Sequence, residues 1–315
     1  MKRIGQASGI AISVPSDAYL SFFNSPYTGH RNRSAVDIYP VHQQWGGAGY
    51  APCGGEVVEI KQIKMGRRKP YETSELDYAI GVSPYDKPSH VVRMLHCKPS
   101  VRIGDEVSAG DDIGSLIRSR YFNFWTGPHY HAEIMELRNF YRSTQSIPLQ
   151  YSDELQGNVI VNGALSPFET EWVIHHVSED FVLLRSGNLL TGSLGGYQGH
   201  VGRTSDGEMG LLDAGIPHYS YGGMHGPESF SGSSVFMGNV EIGTSVTSQG
   251  STCFFRQNRR ARLFLNHIPV RGLSTYLYSK KQLVRGEPLL KVIPAEYASS
   301  STQFAEGDIA TLLAE

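Results

Sequence analysis

From residue 10 to about residue 150 the chain reads as short apolar runs punctuated by Gly, Pro and Asp, the pattern of β-strands joined by tight turns. Val57-Val58-Glu59-Ile60 follows the turn at Cys53-Gly54-Gly55. Tyr78-Ala79-Ile80-Gly81-Val82 and Val91-Val92-Arg93-Met94-Leu95-His96 predict further strands, and a polar, basic loop joins the first two. Residues 101–114 repeat one shape: apolar positions, a Gly-Asp turn, Val, an Ala-Gly turn, then Ile-Gly. Gly104, Gly110 and Gly114 supply the positive φ angles that corners need, and Val101, Ile103, Val107 and Ile113 are expected to face inward, so the segment predicts a β-barrel or sandwich corner.

After Pro148 the pattern changes. Asn158-Val159-Ile160-Val161-Asn162 and Phe181-Val182-Leu183-Leu184-Arg185 predict strands, and the Gly- and Ser-rich stretch 191–252 carries alternation at Ser234-Val235-Phe236-Met237 and Val240-Glu241-Ile242. Leu283-Val284-Arg285-Gly286-Glu287 echoes the earlier corner. The residues from Ser299 onward predict a loose tail or short terminal helix. The chain is therefore expected to be all-β, in two parts: residues 1–150 and a second β-rich region of unknown role, 151–315.

Composition adds limits. The length of 315 residues is enough for two cores, and 35 Gly favour a turn-rich β protein. A net charge of -2 gives no general attraction to nucleic acid or an anionic membrane, so no nucleic-acid partner is expected. Lys64, Arg67, Arg68 and Lys69, and Arg256, Arg259, Arg260 and Arg262, read as solvated surface. Cys53, Cys97 and Cys253 are too few and too scattered for a disulfide framework or a thiolate metal site. No apolar stretch approaches the ~20 residues of a membrane span, and the N-terminal residues show no signal-peptide pattern, which makes a cytoplasmic address the default expectation.

The chemistry concentrates at Thr126-Gly127-Pro128-His129-Tyr130-His131-Ala132-Glu133. In a strand, His129 and His131 emerge on one side about 7 Å apart, while Tyr130 and Ala132 face the core. Neutral imidazole is a frequent metal ligand. Upstream lie further candidates: His30, Asp37 in Ala35-Val36-Asp37-Ile38, and His96.

Taken in order, residues 25–137 resemble the lysostaphin-like, LytM-type zinc metallopeptidases built on a duplicated hybrid motif, about a third of the chain. The Gly-Pro-His-x-His segment at 127–131 and the Gly-Asp-x-Val corner at 104–114 carry the resemblance. It implies a barrel-sandwich peptidase domain over residues 1–150, with His30, Asp37 and His131 as Zn²⁺ ligands and His96 and His129 as catalytic histidines. It also implies a peptide or peptidoglycan-like substrate, here a Gly- or Ala-containing peptide or cross-link in a shallow groove. One departure stands out: the family separates the first His from the Asp by three residues, whereas six lie between His30 and Asp37, which keeps His42 as a reserve for the first ligand.

Residue chemistry agrees with that ligand set. Two imidazoles and a carboxylate suit catalytic Zn²⁺ and leave a fourth position for water, while two neutral histidines can act as base and oxyanion donor. Glu133 reads either as a carboxylate orienting His131 or as an exposed strand end. His175-His176, His200, His218 and His225 read as scattered through Gly-rich loops. The competing functions are a non-catalytic binding or scaffold protein that retains the peptidase fold, and a lipoyl- or biotinyl-carrier with Lys64 at a hairpin tip. The resembling family is often exported, against the cytoplasmic default, and oligomeric state is left open.

Overall fold

The computed structural model describes residues 1–41, 44–163, 167–185, 190–226, 232–248, 250–281 and 287–315. The chain forms two compact units, one of Met1–Phe22 with Tyr27–Ser152, the other of Phe23–Pro26 with Asp153–Glu315. Both are built of strands, so the fold is all-β.

The first unit runs through β1 (Lys2–Ala7), β2 (Ile10–Val14), β3 (Tyr19–Ser21), a single-turn helix α1 (Thr28–Arg31), β4 (Ala35–Tyr39), β5 (Ala48–Tyr50) and β6 (Gly55–Lys64). It continues through β7 (Leu76–Ser83), β8 (His90–Leu95), β9 (Cys97–Pro99), β10 (Glu106–Val107), β11 (Asp112–Leu116), β12 (Tyr130–Glu136) and β13 (Gln150–Tyr151). Among the described residues, seven of these strands make one sheet in the order β10-β6-β7-β8-β12-β4-β3. Side chains alternate between its faces. Val36 and Ile38, Val92 and Met94, and Tyr130, Ala132 and Ile134 fill the core, all with no exposed surface.

Register then fixes the opposite face. His131 pairs with Asp37 on β4 and with Leu95 on β8, Leu95 pairs with Ala79 on β7, and Ala79 pairs with Lys61 on β6. A single row across five strands thus reads Asp37, His131, Leu95, Ala79, Lys61.

The second unit holds one large antiparallel sheet, with Trp172, Leu212, Phe255, Leu265 and Leu312 in its core. Two expectations fail here. The chain end is not a loose tail or helix: Ile309–Ala314 is a strand paired with Thr170–Val177 and Leu263–Leu265, because Ala310 and Leu312 alternate into the core. His175, His176, His200 and His225 lie on strands rather than in loops, with His200 and His225 buried. In the first unit, Ile103 is 60% exposed instead of facing inward, since residues 103–104 form a turn and only Val107 and Ile113 of that segment turn into the core. Residues 283–286 of the corner echo lie outside the described residues.

The three cysteines are free and buried. No helix among the described residues is long and apolar enough to cross a membrane.

Candidate metal centre

His131 and Asp37 face each other because their strands pair in that register, and His30 is delivered by α1, just before β4. The three side chains are buried, and their ligand atoms converge. His30 Nε2 lies 3.1 Å from Asp37 Oδ1 and 3.2 Å from His131 Nδ1, and His131 Nδ1 lies 2.9 Å from Asp37 Oδ1. Metal–ligand bonds of about 2.0–2.1 Å at tetrahedral angles separate ligand atoms by roughly 3.3 Å. The triangle has nearly that size, and the residues form a group able to hold a metal.

The long separation of His30 from Asp37 is absorbed locally. The chain leaves α1 through Arg33 in the left-handed region (φ 59°), where the Arg33 N–H donates to the His30 carbonyl. Ser34 closes the turn with its N–H and Oγ both donating to the Gly29 carbonyl, at 2.8 and 3.0 Å. His42, the reserve ligand, lies outside the described residues.

The imidazoles of His30, His129 and His96 are each held by one ring nitrogen. His30 Nδ1 donates to the Phe22 carbonyl at 2.8 Å, which turns Nε2 toward Asp37. His129, just ahead of β12, donates from Nδ1 to the Gly127 carbonyl at 2.9 Å and turns Nε2 toward Asp37 at 3.7 Å. His96 donates from Nδ1 to Asp77 Oδ2 at 2.8 Å, and that carboxylate also accepts from Ser119 Oγ at 2.7 Å and from the Tyr78 N–H at 2.7 Å. His131 sets Nε2 against Glu133 Oε1 at 3.5 Å. The His96 ring lies 5.5 Å from that of His129 and 6.2 Å from that of His131.

A model for a domain of unknown function (DUF8155), its N-terminal domain, matches residues 12–151. Solved structures similar to this chain include pseudoalterin, an M23 metalloprotease from the deep sea, at 13% identity and a TM-score of 0.27 over 59% of this chain and 96% of that one. Lysostaphin in solution is similar at 16% identity and a TM-score of 0.26 over 62% of this chain and 86% of that one. No curated protein matches the sequence.

Electrostatics favour positive charge at the cluster. Burial opposes ionisation of Asp37, yet the His30 and His129 rings and the hydrogen bonds from His131 and His30 hold its carboxyl well below the usual range. His131 would be pushed down by burial, but Asp37 and Glu133 carry it up to about 9. A cluster that draws an extra proton onto an imidazole is one that draws a cation. His129 behaves oppositely: burial lowers it to about 4 despite Asp37, so it is neutral at pH 7 and able to accept a proton.

Of the two sequence readings of Glu133, the structure has the one that sets it beside His131, while its partner Arg93 was not anticipated. Glu133 is fully buried rather than an exposed strand end, pairs closely with Arg93, and is held down to about 2: burial opposes its charge, but His131 and Arg93 outweigh it. Asp77 and Ser119, which brace His96, went unread. The signal available was a charge inside an apolar strand, at Asp77 before Tyr78 and at Arg93 between Val92 and Met94, since a buried charge needs a partner.

Proposed function

We propose that the first unit is a zinc-dependent endopeptidase domain of the lysostaphin-like type, in which His30 Nε2, Asp37 Oδ1 and His131 Nδ1 hold Zn²⁺. The observation that carries this reading is the triangle of three buried ligand atoms with edges of 2.9–3.2 Å, one of them on the His30 imidazole whose outer nitrogen is already hydrogen-bonded. Two imidazoles and one carboxylate are the donor set of catalytic rather than structural zinc. Bound there, zinc supplies a Lewis acid for amide hydrolysis and acidifies water.

The chain's own residues divide the remaining work. His129, neutral and with Nε2 toward the cluster, accepts the proton of the attacking water and passes it to the leaving amine. His96, locked by Asp77 through Nδ1, keeps Nε2 for the developing oxyanion, and Asp77 complements the positive charge the ring carries while donating. Glu133 fixes the orientation of His131, itself held by Arg93. The substrate class is a peptide or a peptide cross-link of the peptidoglycan kind.

The test is hydrolysis of a peptide mixture by the zinc-loaded chain. The reading expects new termini that vanish on chelation and return with zinc. Zinc binding without hydrolysis would favour a scaffold that keeps the fold.

A further inference from the structure

The same sheet face that carries His131 continues, over the next two strands, into a cavity of about 340 Å³. Its floor is Leu95 and Ala79, the next members of the row that begins with Asp37 and His131, one and two strand spacings or about 5 and 10 Å from His131. At its near end it is bounded by His96 and by Tyr27, whose ring stands 5.1 Å from that of His131. Ile63, Met65 and Phe140 add apolar wall, beside Lys61, Asp77, Arg93, Tyr121, Tyr141 and Ser143.

The polar groups at the bottom are already matched. Asp77 is taken by His96, Ser119 and the Tyr78 N–H, and Arg93 by Glu133 and the Phe140 carbonyl. Lys61, at the exposed end, lies over the Tyr141 ring at 5.5 Å. A polar side chain entering here would lose water while Asp77 and Arg93 are already taken, whereas an apolar one would gain contact with Ala79, Leu95, Ile63, Met65 and Phe140. A glycine would leave the space unfilled.

We infer that this cavity receives a bulky apolar side chain, aromatic or branched aliphatic, from the peptide residue flanking the scissile amide. The inference rests on the peptidase reading and narrows its substrate class away from Gly- and Ala-only sequences. Its walls are mainly aromatic and aliphatic, and its near end shares Tyr27 and His96 with the metal centre, so the side chain and the reacting amide are held together.

The full chain is tested with two blocked peptides, N-acetyl-Phe-Gly-amide and N-acetyl-Gly-Gly-amide, by NMR titration and by kcat/KM with zinc loaded. The expected result is a preference for the Phe peptide of about 10- to 100-fold in affinity, and in kcat/KM where cleavage occurs. Ala79→Leu, which fills the floor, should erase that preference. If Ala79→Leu does not fold, Ile63→Ala, on the half-buried wall, should reduce it. Equal affinity for the two peptides, or a preference untouched by a folded variant, overturns the inference even if both are cleaved. Selective binding of the Phe peptide without cleavage of either leaves the pocket standing and removes the peptidase reading.

Discussion

Glu133 and Arg93 are register partners on β12 and β8, and their buried ion pair stands directly behind His131, with Glu133 Oε1 3.5 Å from Nε2. A carboxylate behind a ligating imidazole raises its basicity and fixes its tautomer, and removing one typically weakens metal binding 10–100-fold. Glu133→Gln is therefore expected to bind zinc about 10–100-fold more weakly in a competition titration. Arg93→Met leaves a buried carboxylate without its cation and should cost about 3–5 kcal/mol in denaturant unfolding.

His96 and Asp77 form the second braced pair. Asp77→Asn preserves shape but removes the carboxylate charge that complements the His96 ring as it donates, so the zinc content should hold while kcat falls about 10²–10⁴-fold with little change in KM. His96→Ala should match it, and the double variant should be no worse than either single one. Additive losses would separate the two residues.

Gly29 is the point of closest approach in α1. A Cβ there would meet the Ala35 Cβ at 2.8 Å, Glu133 Oε2 at 3.2 Å and His131 Nε2 at 3.7 Å. Gly29→Ala must push α1 away from β4 and move His30 with it, so zinc affinity should drop at least about 10-fold, with a destabilisation of about 1–3 kcal/mol from overpacking. Paired metal titration and thermal melts check both.

In the second unit, His200 is buried against Trp172, and burial lowers its pKa to about 4 from 6.5. The unfolded chain therefore binds this proton more readily than the folded one. The stability is fully present above pH 6.5 and is lost as pH falls toward 4, by roughly 3 kcal/mol across the window. Melting temperatures between pH 7 and 4 should fall less steeply in His200→Leu than in the parent chain.

Strand character was legible because period-two alternation and turn residues are local signals, whereas the meeting of His131 with Asp37, 94 residues apart, was implied only by the family resemblance. The His30 position was harder: its spacing from Asp37 depends on how α1 and the left-handed Arg33 turn fold, which no local pattern shows. The braces were least legible. Asp77 and His96 are 19 residues apart, Arg93 and Glu133 are 40 apart, and only sheet register brings each pair together. The terminal strand was misread because its partners, around residues 170 and 265, lie far away in sequence and supply the pairing that a six-residue segment lacks by itself.

The central claim is that three side chains from α1, β4 and β12 make one zinc site, and elemental analysis of the purified chain tests it most directly. The account predicts about one zinc per chain in the parent and in His96→Ala, and loss of that zinc in Asp37→Ala and His131→Ala. Zinc retained at full stoichiometry in both ligand variants, or none in the parent after zinc is supplied, would contradict it.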